Sequence, residues 1–81
     1  MSLQAANQLY RDLKAVAQVE PRALPLRPTT DTYSRLLAEA KAKYPEDTAI
    51  SELEPAASNT HTMADLMIVV GQLVQRWEEL E

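Results

Sequence analysis

The sequence predicts an all-α fold: a small helical bundle of three main helices plus one short helix, with a proline-rich crossover after helix 1. Three observations carry this. Apolar residues recur at helical spacing in three stretches, each bounded by a proline or a capping residue. The 81 residues include one Gly and no Phe, whereas a sheet-rich fold needs turn glycines and strand-forming aromatics. The run Leu66–Val70 has strand propensity, but no second strand candidate exists to pair with it.

The first helix is expected from Ser2 to Val19. Leu3, Ala5, Ala6, Leu9, Tyr10, Leu13, Val16 and Ala17 fall within an arc of roughly 160°. Gln4, Asn7, Arg11, Lys14 and Gln18 take the other side, and Pro21 ends the helix. Residues 20–30 read EPRALPLRPTT, and three prolines predict an extended, polyproline-like crossover. Leu24 and Leu26 are expected to dip into the core from it.

A second helix is expected to start near Thr30 or Asp31, either of which can cap it. Its stripe is Tyr33, Leu36, Leu37, Ala40 and Tyr44, an arc of about 100°. Lys41 and Lys43 fall in the last turn, where cations suit the dipole, and Pro45 stops the helix. Residues 46–54 predict a short helix capped by Asp47 or Thr48, burying Ile50 and Leu53. Residues 55–62 read as a loop.

The last helix is expected from Met63 to Leu80. Thr62 and Asp65 have capping-box spacing, with Asp in place of the usual Glu. Met63, Leu66, Val70, Leu73, Trp77 and Leu80 follow a 3,4,3,4,3 spacing. With Met67, Val69 and Val74 they fill an arc of roughly 160° free of polar residues. This helix should be the central one. The heptad pattern is still running at the end of the chain, as in a terminal module of a larger protein.

Length makes this a single helical domain over 1–81. A folded 9.1 kDa chain exposes about 4,900 Å², against about 13,200 Å² unfolded, burying roughly 60% of its surface. That suffices for one core and not for a large cleft. Cys is absent, which excludes disulfides and thiolate metal sites and points to a cytoplasmic location. No stretch approaches the roughly 18 apolar residues of a membrane span. Gln4, Asn7, Gln8, Arg11 and Asp12 break the pattern of a signal peptide.

The net charge of −4 is unevenly spread. Residues 1–44 hold seven Lys/Arg and four Asp/Glu, a balance of +3; residues 45–81 hold one and eight, a balance of −7. Scattered positives on an acidic chain argue against nucleic acid as a partner, because phosphate neutralisation supplies most of that affinity.

Nothing in the chain converges on catalysis or on a cofactor. His61 is the single histidine and has no Cys to join it as a metal ligand. The carboxylate pairs Glu46/Asp47, Glu52/Glu54 and Glu78/Glu79 fall on polar faces or in loops. Ser34 and Ser51 have no adjacent base, and Gly71 alone cannot make a phosphate loop. The expectation is a non-enzymatic protein with no cofactor, no metal and no catalytic residue.

One short pattern stands out. Arg22, Pro25 and Pro28 give Arg-x-x-Pro-x-x-Pro, which resembles the ligands of SH3 domains. The resemblance implies a polyproline ridge offered to an aromatic groove, with the arginine meeting an acidic pocket. It covers seven residues, Arg27 departs from its usual form, and burial of Leu24 and Leu26 would leave the ridge occupied.

A candidate interface lies on the last helix. Ile68 points away from the core arc, among Gln72, Gln75 and Glu79, and Trp77 is of the type that anchors interfaces. The expected function is protein–protein interaction or self-association, as an adaptor or regulatory domain docking through helix faces and steered by its two charged halves. Two other classes stand beside it. A helical DNA-binding regulator or antitoxin would use Arg35, Lys41 and Lys43, a set that Glu39 interrupts. An acidic inhibitor of a basic partner would present Glu52, Glu54, Glu78 and Glu79.

Overall fold

The computed structural model describes residues 2–55 and 61–81. Among them the chain forms α1 (Ser2–Val19), α2 (Arg27–Lys43), α3 (Thr48–Ser51) and α4 (Met63–Leu80), with no strand. The fold is the small all-α bundle that the periodicity predicts. Of the expected loop 55–62, residues 56–60 lie outside the described residues.

α4 is the central element. It packs along α1 and also touches α2 and α3. Leu66, Val70, Leu73, Val74 and Trp77 are buried on its inner stripe, with Met63 closing one end. α1 adds Ala6, Leu13 and Ala17; α2 adds Tyr33, Leu36, Leu37 and Ala40; α3 adds Ile50. Small side chains let α1 and α4 approach closely. Tyr10 lies over Gly71, where a β-carbon would come 3.0 Å from the ring.

All four amides at the start of α4 have partners, although a helix supplies none itself. Thr62 N–H donates to Asp65 Oδ2 and Asp65 N–H donates to Thr62 Oγ1, both at 3.2 Å, which is the expected capping box. Met63 and Ala64 N–H donate to the carbonyls of Ala23 (2.8 Å) and Pro21 (3.0 Å). These hydrogen bonds fix the chain leaving α1 against the beginning of α4.

That attachment anchors the crossover. The extended crossover expected over 20–30 is corrected: residues 21–23 turn, with Ala23 N–H donating to the Glu20 carbonyl at 3.2 Å, and only 24–26 lie between that turn and α2, with Leu26 extended. Ala23 is half-buried and Pro25 is buried, while Leu24 and Leu26 turn outward. Their expected burial is therefore reversed. The start of α2 is also corrected: it begins at Arg27, not at Thr30 or Asp31, and Leu26 is its N-cap without a side-chain cap. Pro28 belongs to the first turn, where its missing N–H removes no helical bond. Thr30 and Thr32 donate their hydroxyls back to Arg27 O (3.0 Å) and Pro28 O (2.8 Å).

α2 ends beside the end of α4. Lys43 pairs with Glu81 at 3.0 Å, and the Tyr44 hydroxyl donates to the same carboxylate. These two donors hold Glu81 below the usual carboxylate range. The short helix is tighter than the expected span of 46–54. Asp47 caps it by accepting from Ile50 N–H at 2.9 Å. Ile50 is buried, and Leu53 is half-buried.

Two polar contacts dock this segment. Asp47 accepts from Arg76 Nε (3.1 Å) and Nη2 (2.6 Å), and Tyr33 donates to the Glu54 carbonyl at 2.9 Å. Burial, with Glu54 nearby, pushes the Tyr33 hydroxyl up to about 12.

Candidate protein interface

Five large apolar side chains are well exposed among the described residues: Val19 (80%), Leu26 (71%), Leu24 (58%), Ile68 (55%) and Val16 (41%). They fall into two places. Ile68 stands alone on the outer face of α4, and the other four lie between residues 16 and 26.

Ile68 forms a ridge with Gln72, and an open groove runs along each side. One groove is lined by Glu52, Leu53, Glu54, His61 and Asp65, with Val69 at its floor. The other is lined by Asn7 and Tyr10 of α1 and by Gly71, Val74, Gln75 and Glu78 of α4. The face therefore has one exposed apolar side chain, Ile68, beside the polar Gln72 at its middle and carboxylates at its edges. The segment Glu52–Glu54 reaches it because the Asp47–Arg76 ion pair draws α3 onto α4. The two Arg76 N–H groups and the Ile50 amide hold Asp47 below the usual carboxylate range. Asp65 is lowered as well, chiefly by the Thr62 amide and hydroxyl of the capping box and to a lesser extent by the charge of His61.

Compared with protein-family models, curated proteins and solved structures, the chain matches none.

The outer-face candidates from the sequence stand as follows. Ile68, Gln72, Gln75 and Glu79 are exposed, with Glu79 paired to Arg76 at 3.0 Å. Trp77 is corrected: it is 1% exposed and belongs to the core, on the same stripe as Leu66, Val70 and Leu73. Its Nε1–H has no hydrogen-bond partner among the described residues. Glu52 and Glu54 join the Ile68 face, which periodicity within α4 could not reveal. The visible signal was the opposite charge of Asp47 and Arg76, the pair that brings the two segments together.

The second exposed region is the corner between α1 and α2. Ala5, Leu9 and Asp12 of α1 meet Pro28, Thr29 and Thr32 across a shallow groove. Val16 continues the Ala5–Leu9 stripe beyond the start of α2, so nothing of α2 covers it. Val19 follows at the end of α1, and Leu24 and Leu26 come from the crossover. Around this corner Lys14, Arg22 and Arg27 are exposed, as are the acids Asp12, Glu20 and Asp31.

The other sequence candidates are dispersed. Pro25 is buried and Pro28 is helical, so Arg22, Pro25 and Pro28 do not share the polyproline ridge that the SH3-ligand resemblance implies. On α2, Arg35 is exposed, Lys41 is half-buried and Lys43 is paired with Glu81. Helical geometry sets Lys41 and Lys43 roughly 160° apart. Among the described residues no group of three or more His, Asp or Glu side chains is placed to hold a metal ion, and no helix is long and apolar enough to cross a membrane.

Proposed function

We propose that this chain is a non-enzymatic protein–protein interaction module whose docking face is the outer surface of α4. The observation that carries the reading is Ile68, a large exposed apolar side chain set between two open grooves and flanked by Glu52, Glu54, Asp65 and Glu78. The arrangement suits a partner surface that is apolar in its middle and cationic at its edges. Ile68 supplies desolvation energy, and the carboxylates supply steering and register. The acidic-inhibitor alternative uses the same face, since three of its four carboxylates, Glu52, Glu54 and Glu78, line the grooves beside Ile68.

A synthetic amphipathic helix of Leu and Lys is the direct probe. Titrated into ¹⁵N-labelled protein, it should shift the amides of residues 52–54 and 65–75, and Ile68→Glu should remove those shifts while helicity is kept. Shifts spread over every acidic segment and unchanged in Ile68→Glu would reduce the effect to bulk charge and overturn the reading.

A further inference from the structure

We propose that His61 makes the docking face sensitive to pH: protonating its ring weakens the hold of the face on a cationic partner. This rests on the docking-face reading above and adds its regulation.

Histidine is the side chain whose ordinary titration falls between pH 5 and 8, and His61 is the single histidine of the chain. Its position gives it a role. His61 is half-buried and lines the same groove as Glu52, Glu54, Asp65 and Ile68. The backbone beside it is anchored, because its neighbour Thr62 exchanges two hydrogen bonds with Asp65 in the capping box of α4. The charge of His61 reaches Asp65, whose carboxyl it helps to hold below the usual range, after the larger effect of Thr62.

The charged groups that share the groove with His61 are all of one sign. Glu52 and Glu54 stand on the wall that follows α3, and Asp65 stands on α4. Ile68, Val69 and Gln72 add no charge. Arg76 lies in the adjoining hollow with Glu52 and is already paired with Asp47 and Glu79. On the crossover, which is bonded to the first turn of α4, Glu20 and Arg22 are exposed, opposite in sign and outside the groove lining. Residues 56–60 contain no titratable side chain. The lining therefore carries a balance of −3 with a neutral imidazole and −2 with an imidazolium. A lysine or arginine drawn in by the carboxylates meets a like charge in the second case, which costs affinity.

The Leu/Lys helix is again the probe, titrated into ¹⁵N-labelled protein at pH 7.5 and pH 5.5 at one ionic strength. Carboxylates ordinarily titrate below about pH 5 and lysine near pH 10, so among side chains this comparison isolates the histidine. Wild type should bind the probe about two- to fivefold more weakly at pH 5.5, the size of effect that one surface charge exerts. His61→Gln, which stays neutral, should bind at both pH values as tightly as wild type does at pH 7.5. His61→Lys, which stays charged, should bind at both as weakly as wild type does at pH 5.5. Circular dichroism checks that both variants keep their helicity.

Equal wild-type affinity at the two pH values overturns the inference, as does a loss on acidification that persists in full in His61→Gln. In either case the docking face stands as long as Ile68→Glu still abolishes binding. No probe binding at pH 7.5, or binding that Ile68→Glu leaves unchanged, removes the docking face and the role of His61 with it.

Discussion

α4 and the crossover of residues 20–26 both carry large apolar side chains, yet they use them in opposite ways. In α4 the apolar stripe is buried, and a single outlier, Ile68, remains outside. In the crossover the leucines are outside and the residues just before each of them, Ala23 and Pro25, turn in. The difference comes from what fixes each segment. α4 carries its own instructions, a capping box followed by a sustained 3.6-residue period. The crossover takes its orientation from elsewhere: two of its carbonyls accept hydrogen bonds from Met63 and Ala64. Local pattern orients a segment that closes its own hydrogen bonds. A segment that lends its carbonyls to another element is oriented by that element.

Substitutions can break or sharpen this contrast. The largest effect is expected at Trp77→Ala, which empties the centre of the core and should cost about 3–5 kcal/mol in urea unfolding. Trp77→Phe should cost distinctly less, because the smaller ring still fills most of the buried apolar volume. Gly71→Leu comes next. Its side chain must displace the Tyr10 ring, and overpacking of this kind costs about 1–3 kcal/mol. Thr62→Ala removes the capping hydroxyl of α4 and should cost about 1 kcal/mol in the same measurement.

Smaller again is the effect of Asp47→Asn, because solvent reaches Arg76, and it is read as a pH dependence. The folded-state pKa of Asp47 is lowered, so its stabilisation is present above the ordinary carboxylate range and is lost as pH falls through the folded value. The wild-type urea midpoint should drop on acidification from about pH 5 downward. In Asp47→Asn that drop should be shallower, starting from a lower midpoint at neutral pH. The smallest effect is expected at Leu24→Ala, within about 0.5 kcal/mol, as for an ordinary surface site. A cost there comparable with that of Trp77→Ala would show that the leucine is buried and erase the contrast.

The same division explains what the sequence could and could not disclose. The bounds of α1 and α4, the Thr62–Asp65 box and the outward position of Ile68 all follow from periodicity and cap chemistry within one element. The start of α2 was hidden because Thr30 and Asp31 are good capping residues and Pro28 looks like a barrier. In fact the helix starts ahead of all three, since a first-turn proline has no amide to lose. Val16 is exposed because α2 leaves α1 before reaching it, a fact about where one helix crosses another. Glu52 and Glu54 reach the Ile68 face through tertiary contacts, the Asp47–Arg76 pair between segments 29 positions apart, the Tyr33–Glu54 hydrogen bond and buried Ile50. Trp77 fitted two roles, core and interface anchor, and its place on the Leu66–Leu73 stripe decides for the first.

The attachment of the crossover to α4 also bears on how the molecule opens. Helix ends are usually the first places to exchange their amide hydrogens, since the terminal turn lacks internal partners and frays. Here the amides of Met63 and Ala64 are tied to carbonyls some 40 residues away in the chain. They cannot be released by unwinding one turn; the α1–α2 corner has to come away with them. Deuterium uptake at 63 and 64 should therefore follow the slow exchange of the α4 interior rather than that of a loose terminus. The beginning of α4 and the corner would then open as one cooperative unit.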